Sequence, residues 1–334
     1  MNNTKGIISV GSSEDDTEDL AEATLELRPW QVGTAEHGMR LDQALAIVVP
    51  EFSRSYLQQL ILAGAVCVNG GRVSKSSMRL KASDAGTLEM RPTLQSQAFK
   101  PEVMALDVVH IDPHLMVINK PAGLVVHPAP GNWTGTLMNG LLGFDSAFTA
   151  LPRAGIVHRL DKDTSGLMVV ARTRSTMDAL VRAIAAREVQ RHYLALAHGH
   201  WSGAEQREVA CAIGRDPRQR LRMAVVDLGT QSGKEARTDI TLLQNAEGQA
   251  GCLVRCALQT GRTHQIRVHM AWLGHPLVGD QVYGGAPAAG MTRQALHARR
   301  LAFTHPVTGQ AMVFESDVPH DFQDALSQWR LRYN

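Results

Sequence analysis

The sequence predicts a protein of the α+β class, in which a small basic domain precedes a larger domain with a mainly antiparallel β-sheet and flanking helices. Length supports two domains, because 334 residues can bury two separate cores. Strand patterns outnumber helix patterns in the later part of the chain, and hairpin signals connect them. We predict a disordered acidic tail over residues 1–24, a small domain over 25–95, a linker over 96–104 and a larger domain over 105–334.

The composition describes a soluble protein with a basic body. No apolar run approaches the roughly 20 residues that cross a bilayer, and the N-terminus lacks an apolar signal core, so we expect a cytoplasmic protein with no membrane partner. The four cysteines have neither metal-site nor disulfide-scaffold spacing, which favours free thiols. Residues 1–27 carry seven carboxylates against one lysine, which leaves a charge of +8 on the remainder. This basic remainder favours a polyanionic partner.

The small domain is predicted to contain a leading strand, two helices and a hairpin. The strand covers residues 25–32, and the apolar residues from 41 to 48 fall on one face of a first helix. Ser53 is a suitable N-cap for a second helix, and Gly64 a suitable stop. The dipeptide Asn69-Gly70, between two short apolar runs, is typical of a two-residue hairpin turn.

The larger domain is predicted to begin with a hairpin that turns at Asp112-Pro113, followed by a loop from Lys120 to Gly123. A buried strand follows near residue 167, and Ser175 with Asp178 gives a capping-box signature for a helix. Alternating strands are predicted at 191–197, 238–243 and 253–258, and Thr263 is the predicted cap of a helix that Gly274 ends. The segments after residue 274, including ALHARRLAF, are predicted to be short and rich in turns.

The segment from residue 155 to 173 (GIVHRLDKDTSGLMVVART) places five ionisable side chains within six residues, beside a buried strand. Its DxDxSG run copies the start of a calcium-binding EF-hand loop, but Arg172 stands where a bidentate Glu is required. The histidine pairs elsewhere lack zinc-ligand spacing, and no GxSxG elbow or phosphate-binding glycine motif is present. We therefore expect no metal site.

Two carboxylates at positions i and i+2 of an extended turn point to different sides, so Asp161 and Asp163 are poor acid–base partners. Asp163, with Thr164 to Gly166, is interpreted as turn chemistry in which its side chain bonds backbone amides. Asp161 is then a single carboxylate flanked by cations. Such a group suits nucleophilic attack or proton abstraction at a sugar carbon.

Two groups of motifs resemble known families. RLDQAL, SRSYLQQLI and GAVCVNG resemble the S4 domain, a small RNA-binding module in which basic side chains would meet phosphates; here these are Arg54, Arg72 and Lys75. NKPAGLVVHPAPGN, RAGIVHRLDKDTSGLMVV, TGRTHQIRVHMA, HPLVGDQVYGG and QALHA resemble the RluA/RluD family of pseudouridine synthases. The long motifs with a preceding S4 domain resemble the RluD branch, which acts on the 23S rRNA of the large ribosomal subunit.

The resemblance implies the pseudouridine synthase fold and a cofactor-free isomerisation, in which the C1′–N1 bond of uridine is replaced by a C1′–C5 bond. Asp161 matches the catalytic aspartate of the family, Arg267 the arginine that pairs with it, and Tyr193 the active-site tyrosine that lies against the base. The motifs leave open whether Asp161 attacks C1′ or removes the C2′ proton. Lys120 lies in the first motif, where a structural role is equally compatible.

The resemblance also implies which residues contact RNA and which RNA is bound. The predicted RNA-contacting residues of the larger domain are His158, Arg159, Arg262, His264 and Ile266. For His158 and Arg159, which lie next to Asp161, a structural role stays open. The predicted partner is 23S rRNA, in the large subunit or its precursor, and the protein is expected to be a monomer. Two alternatives stay open: a synthase of the same family that acts on tRNA or another rRNA site, and a non-catalytic RNA-binding factor of ribosome assembly.

Overall fold

The computed structural model describes residues 27–50, 52, 54–90, 99–129, 131–219 and 222–333. Two compact units divide between residues 95 and 96. The predicted acidic tail and the predicted N-cap Ser53 lie outside the described residues, as does part of the predicted linker. In the described part of the chain, no helix combines the length and apolarity that crossing a membrane requires.

The smaller unit is a four-stranded antiparallel sheet with two helices. Its elements are β1 (Leu27–Gln31), α1 (Leu41–Val48), α2 (Arg54–Leu62), β2 (Val66–Val68), β3 (Gly71–Val73) and β4 (Ala85–Glu89). The strand order is β1-β4-β2-β3. Both helices bury the predicted apolar face, and Asn69 and Gly70 have φ values of +49° and +81°, which a two-residue hairpin turn requires. These sequence predictions are confirmed.

The larger unit is organised around one long, mainly antiparallel sheet. Its elements, in chain order, are β5 (Val108–Ile111), β6 (Leu115–Lys120), α3 (Leu137–Phe144), β7 (Ser165–Ala171), α4 (Arg174–Ala185), β8 (Gln190–His198), β9 (Gln206–Val209), β10 (Ile213–Arg215), β11 (Met223–Val225), β12 (Gly233–Lys234), β13 (Thr238–Asn245), β14 (Gly251–Leu258), α5 (Gln265–Trp272), β15 (Leu296–Thr304), β16 (Ala311–Glu315) and α6 (His320–Gln328). The strand order is β5-β6-β7-β15-β8-β14-β13-β9, with β16 beside β15, while β10 to β12 form a separate small sheet.

Strands β7 and β15 are the one parallel pair among the described strands of the long sheet. Their contact is short, since only His297 with Ser165 and Ala298 with Gly166 are paired. The long sheet confirms the predicted α+β class with mainly antiparallel pairing. The hairpin at Asp112 is also confirmed, and its carboxylate accepts hydrogen bonds from the backbone amides of residues 114 and 115.

The segment ALHARRLAF contradicts the prediction of a short, turn-rich stretch, because it forms the nine-residue strand β15 in the middle of the sheet. The apolar pattern is interrupted by Arg299 and Arg300, and the pairing register with β8 shifts between His297 and Arg300. A register shift of this kind breaks the period-two alternation by which a strand is recognised.

The predicted starts of two helices were also wrong. Helix α4 begins at Arg174 because the side chain of Thr173 accepts a hydrogen bond from the Thr176 amide, which makes Thr173 the N-cap instead of Ser175. Helix α5 begins at Gln265, and its N-cap is His264, not Thr263. The small sheet β10–β12 and helices α3 and α6 were not predicted from the sequence.

Strand β8 divides the core of the larger unit. Tyr193 and Ala195 belong to the apolar cluster on one face of the sheet, whereas Leu194 and Leu196 belong to the cluster on the opposite face. This alternation follows from the period of a strand. It directs Tyr193 to the same apolar cluster as Ile266 of α5.

Candidate active site

Asp161 lies in the turn that leads into β7, and the Thr164 amide donates to its backbone carbonyl at 3.1 Å. Its side chain is 16% exposed, so it is reachable from solvent but largely enclosed. Within the described residues, no backbone amide donates to the Asp163 carboxylate. The prediction that the Asp163 side chain closes this turn is therefore wrong, and the backbone closes it instead.

Three cationic side chains hold the turn. Lys120 Nζ donates to the Lys162 carbonyl at 3.0 Å, and Arg293 Nη1 donates to the Asp163 carbonyl at 2.8 Å. Arg267 Nη1 donates to the Asp161 carboxylate at 3.1 Å. Because these cations come from distant parts of the chain, the position of the Asp161 carboxylate depends on the whole larger unit.

Lys120 is a structural basic residue at the end of β6. Its side chain is buried, and Nζ also donates to the carbonyls of Pro121 at 2.8 Å and Leu124 at 2.9 Å. Burial lowers the pKa of Lys120 to about 7, against the charges of Asp163 and Asp161, which raise it. These bonds support the structural role that the sequence left open for Lys120.

Arg267 joins Asp161 to a second aspartate that the sequence reasoning missed. Its Nε and Nη2 atoms donate to the two oxygens of Asp280 at 2.7 and 2.8 Å, and both side chains are buried. Burial disfavours the charged form of Arg267, but the hydrogen bonds that Arg267 donates to Asp280 and Asp161, and the charges of these carboxylates, outweigh burial and raise the pKa of Arg267 above its ordinary value. This bidentate pair leaves Nη1 for Asp161. The HPLVGDQVYGG motif contained Asp280 but gave no partner for it.

Tyr193 is buried on β8, on the face of the sheet that carries the main apolar cluster. Burial raises the pKa of its phenol to about 12; the charge of Arg191 opposes this shift and that of Asp161 supports it. The phenol is therefore protonated at neutral pH. It offers a ring face and an O–H donor beside the carboxylate.

His264 and Tyr283 complete the surroundings of the carboxylate. His264 has a left-handed backbone (φ +56°), and its Nε2 atom lies 3.9 Å from Asp161 Oδ2. Its Nδ1 atom is hydrogen-bonded to the Tyr283 hydroxyl at 2.8 Å, and burial lowers the pKa of His264. The Arg267 guanidinium lies over the Tyr283 ring, 5.0 Å from its centroid.

The other predicted RNA-contacting residues of the larger unit differ in how exposed their side chains are. Arg159 is exposed, and Arg262 is partly buried with Nε donating to the Glu235 carbonyl at 3.0 Å. Ile266 is buried in the main apolar cluster, and this burial argues against the prediction that its side chain contacts RNA. For Arg159, Arg262 and His264, RNA contact stays a prediction.

His158 has a structural partner. Its Nε2 atom accepts a hydrogen bond from the Val169 amide at 3.1 Å, and its buried Nδ1 atom has no partner in the described structure. Burial, supported by the charge of Arg191, lowers the pKa of His158 to about 3, so the ring is neutral. Its role in RNA contact stays a prediction.

In the smaller unit, Arg54 is engaged by a buried carboxylate. The Asp42 side chain accepts hydrogen bonds from Arg54 Nη2 at 2.7 Å, from Arg40 Nε at 2.9 Å and from Gln58 Nε2 at 2.6 Å. Burial would raise the pKa of Asp42, but these three donors hold it well below its usual range. Arg54 therefore supports the fold of this unit, while its side chain stays 46% exposed.

Arg72 and Lys75 follow the predicted hairpin turn. Arg72 Nη1 donates to the Gly64 carbonyl at 2.9 Å, and Lys75 is exposed. RNA contact by Arg54, Arg72 and Lys75 stays a prediction. Among the described residues, no group of three or more His, Cys, Asp or Glu side chains could hold a metal ion.

The arrangement supports chemistry by one carboxylate. Asp280 is fully occupied by Arg267, so it is not available as an acid–base partner of Asp161. The Arg267 guanidinium donates a charge-assisted hydrogen bond to the Asp161 carboxylate at 3.1 Å, which fixes the direction of that carboxylate. Beside this carboxylate, Tyr193 provides a phenol and an apolar surface. These groups suit attack on, or deprotonation of, a substrate whose planar ring can lie against Tyr193.

Comparisons with known proteins point to one family. The family profile described as RNA pseudouridylate synthase matches residues 114–272, and the S4 domain profile matches residues 39–85. Ribosomal large subunit pseudouridine synthase D of Neisseria meningitidis serogroup B is 47% identical over 307 residues, which cover 88% of this chain and 79% of that protein. The protein of the same name from Nitrosomonas europaea is 44% identical over 301 residues, 88% of this chain and 85% of that one.

A solved structure, Human RNA Pseudouridylate Synthase Domain Containing 1, matches with a TM-score of 0.52 and 27% identity, over 69% of this chain and 87% of that chain. Asp161, Tyr193 and Arg267 all lie within the matched family profile, whereas Asp280 lies beyond its end. The fold, the site and these likenesses lead to one conclusion: the chain belongs to the RNA pseudouridylate synthase family and carries an S4 domain.

Proposed function

We propose that this protein isomerises specific uridines to pseudouridine in the 23S rRNA of the large ribosomal subunit or its precursor, with Asp161 as the group that acts on the ribose. The observation that carries the proposal is the buried Arg267, which Asp280 orients and which donates to Asp161 beside Tyr193. The substrate class is supported by relatives that are 40–47% identical and are named ribosomal large subunit pseudouridine synthase D.

The reaction rearranges one nucleotide. The C1′–N1 bond breaks, the uracil turns, a C1′–C5 bond forms, the C5 proton is released and N1 gains a proton. No electrons are transferred to or from the nucleotide and no group is donated, so the reaction needs no cofactor. Asp161 acts either by attack on C1′ or by removal of the C2′ proton, and Arg267 stabilises its charge in both cases.

Tyr193 is proposed to lie against the uracil while the base turns. Its pKa of about 12 keeps the phenol protonated at neutral pH, so it donates a hydrogen bond and does not act as the initial base. The target uridine must leave its stack to reach this enclosed carboxylate, which is least costly for unpaired bases in loops. Arg159, exposed beside the turn, is proposed to contact the strand from which the base has left.

The smaller unit is proposed to bind RNA without reading its sequence. Lys75 and Arg72 are exposed on and beside the hairpin, where they can contact phosphates. We assign this role to residues 25–95, with 96–104 as a linker and 105–334 as the catalytic domain.

The test is release of tritium from 23S rRNA labelled at C5 of uridine. Asp161→Asn should bind rRNA as the wild type does but release no tritium above background. Asp163→Asn is the matched control, because it removes a carboxylate two residues away that does not touch Arg267, and it should keep most of the activity. Tritium release by Asp161→Asn at the wild-type rate would refute the role of Asp161. Release from labelled tRNA in preference to 23S rRNA would refute the substrate.

A further inference from the structure

The larger unit contains three buried Lys or Arg side chains among its described residues: Lys120, Arg191 and Arg267. Lys120 donates to three backbone carbonyls, and Arg267 donates to two carboxylates. Arg191 is only 6% exposed, yet in the described structure no carboxylate or carbonyl accepts from it, and its Nε atom is buried without a partner. A buried charge without a partner is costly to the folded state, so its retention calls for an explanation.

The position of Arg191 places it beside the active site. It lies on β8 two residues before Tyr193, and alternate residues of a strand point to the same face. Its Nη1 atom lies 3.0 Å from the point where a Cβ on Gly261 would be, in the loop that continues to Arg262 and His264. The charge of Arg191 also lowers the pKa values of both Tyr193 and His158, as expected of a guanidinium close to both rings.

We propose that Arg191 binds a backbone phosphate next to the target uridine, and that this phosphate is the missing partner of its guanidinium. The inference rests on the proposed function, because RNA supplies the phosphate. A guanidinium matches the oxygens of a phosphate through two parallel hydrogen bonds, and it keeps its charge at every relevant pH. The nucleotide that enters the pocket carries a phosphate on each side, and neither can enter as deeply as the base.

Gly261 contributes to the proposed site because it has no side chain that would crowd the Arg191 guanidinium. Gly261 has no left-handed backbone requirement, so alanine fits its backbone conformation. The added methyl group would meet Arg191 Nη1 at 3.0 Å and would displace the guanidinium by a few tenths of an ångström. Gly261→Ala therefore changes the position of the Arg191 guanidinium while its charge is kept.

The main test is Arg191→Met, which keeps the length and apolar stem of the side chain and removes its charge. Binding to a 23S rRNA fragment is measured by fluorescence anisotropy at several salt concentrations, in the Asp161→Asn background so that no turnover occurs. We expect Kd to rise roughly 10-fold at low salt, and the slope of log K against log salt to fall by about 0.7 to 0.9, as loss of one phosphate contact predicts. In the active background, KM for the rRNA should rise more than kcat falls.

Three further variants define the role. Arg191→Lys keeps the charge but loses the paired hydrogen bonds, so it should keep the salt slope and lose part of the affinity. Gly261→Ala should weaken binding alone but add nothing to Arg191→Met. Arg174→Met is the matched control, because it removes an arginine that is exposed on α4 and paired with Asp178, and it should leave Kd and the slope unchanged.

Each outcome decides for or against the proposal. The melting temperature of Arg191→Met should equal or exceed that of the wild type, because an unpaired buried charge has been removed. A lower melting temperature with unchanged Kd and salt slope would show that Arg191 only stabilises the fold. A higher Kd with an unchanged salt slope would assign Arg191 to the base instead of a phosphate. If the wild type released no tritium from any rRNA, the proposed function itself would fail.

Discussion

Asp280→Asn is the most informative change at the candidate active site, because it removes one charge and alters almost no volume. Asp280 accepts two charge-assisted hydrogen bonds from Arg267, at 2.7 and 2.8 Å, in a buried position. Asparagine has one acceptor oxygen, so one of these two bonds is lost and an amide N–H faces a guanidinium N–H. Arg267 is then held by one bond instead of two at this end, so its contact with Asp161 is less firmly directed.

The magnitude follows from the lost bond. A hydrogen bond to a charged group contributes about 1.5–3 kcal/mol. If that loss falls on the transition state, kcat decreases by about 10- to 150-fold, since 1.36 kcal/mol corresponds to tenfold in rate. The loss stays below the roughly 3–5 kcal/mol of an uncompensated buried charge, because Asp161 still faces Arg267. KM for rRNA should change little, because Asp280 is buried and does not face the substrate.

The assay is single-turnover tritium release, combined with a double-mutant cycle. If Asp280 acts through Arg267, the double variant Asp280→Asn/Arg267→Met should be no slower than Arg267→Met alone. Asp145→Asn is the control, because it removes a carboxylate that pairs with Arg172 elsewhere in the larger unit, and it should not change kcat. A kcat for Asp280→Asn within twofold of wild type, or rate losses that multiply in the double variant, would refute the reasoning.

Three further predictions concern single residues. Tyr193→Phe keeps the ring but loses the donor, so RNA affinity should persist while kcat falls on the order of 10²-fold, as measured by tritium release. Burial lowers the pKa of Lys120 from 10.5 to about 7, so between these values the unfolded chain binds a proton that the folded chain does not. In urea unfolding, the free energy of unfolding of the wild type minus that of Lys120→Met should therefore be larger at pH 9.5 than at pH 7. Equal values of this difference at the two pH values would contradict the prediction. Asp42→Asn should destabilise the smaller unit by about 1–2 kcal/mol, because charge-assisted hydrogen bonds are lost while Arg40 and Arg54, whose side chains are 39% and 46% exposed, can be hydrated; hydrogen exchange of α1 in the full chain measures this.

Local patterns were sufficient to predict much of the fold. The hairpins at Asn69-Gly70 and Asp112 and the helices of the smaller unit follow from turn chemistry and apolar spacing, and the structure confirms them. Strand β15 was missed because two arginines and a register shift interrupt its alternation. The start of α5 was misplaced because His264 adopts a left-handed conformation that no local pattern indicates.

The candidate site was predicted only in part, for a different reason. Asp161 was singled out from the charges around it and matched by a family resemblance, whereas Tyr193 and Arg267 were found through that resemblance alone; the roles of all three stay proposals. Asp280 and Arg191 were missed because their importance depends on partners, or on the absence of partners, that only the folded chain reveals. The interpretation of Asp163 was wrong because a turn sequence does not tell whether the side chain or the backbone closes the turn.

The short parallel contact between β7 and β15 leaves no room for a side chain at residue 166. Asp161 precedes β7 on one side of this contact, while β8, which carries Tyr193, pairs with β15 on the other side. Gly166 has a φ of +114°, and a Cβ there would lie 2.4 Å from the Ala298 carbonyl oxygen. Any side chain at residue 166 would therefore push β7 away from β15, and we expect this to move the Asp161 turn relative to Arg267.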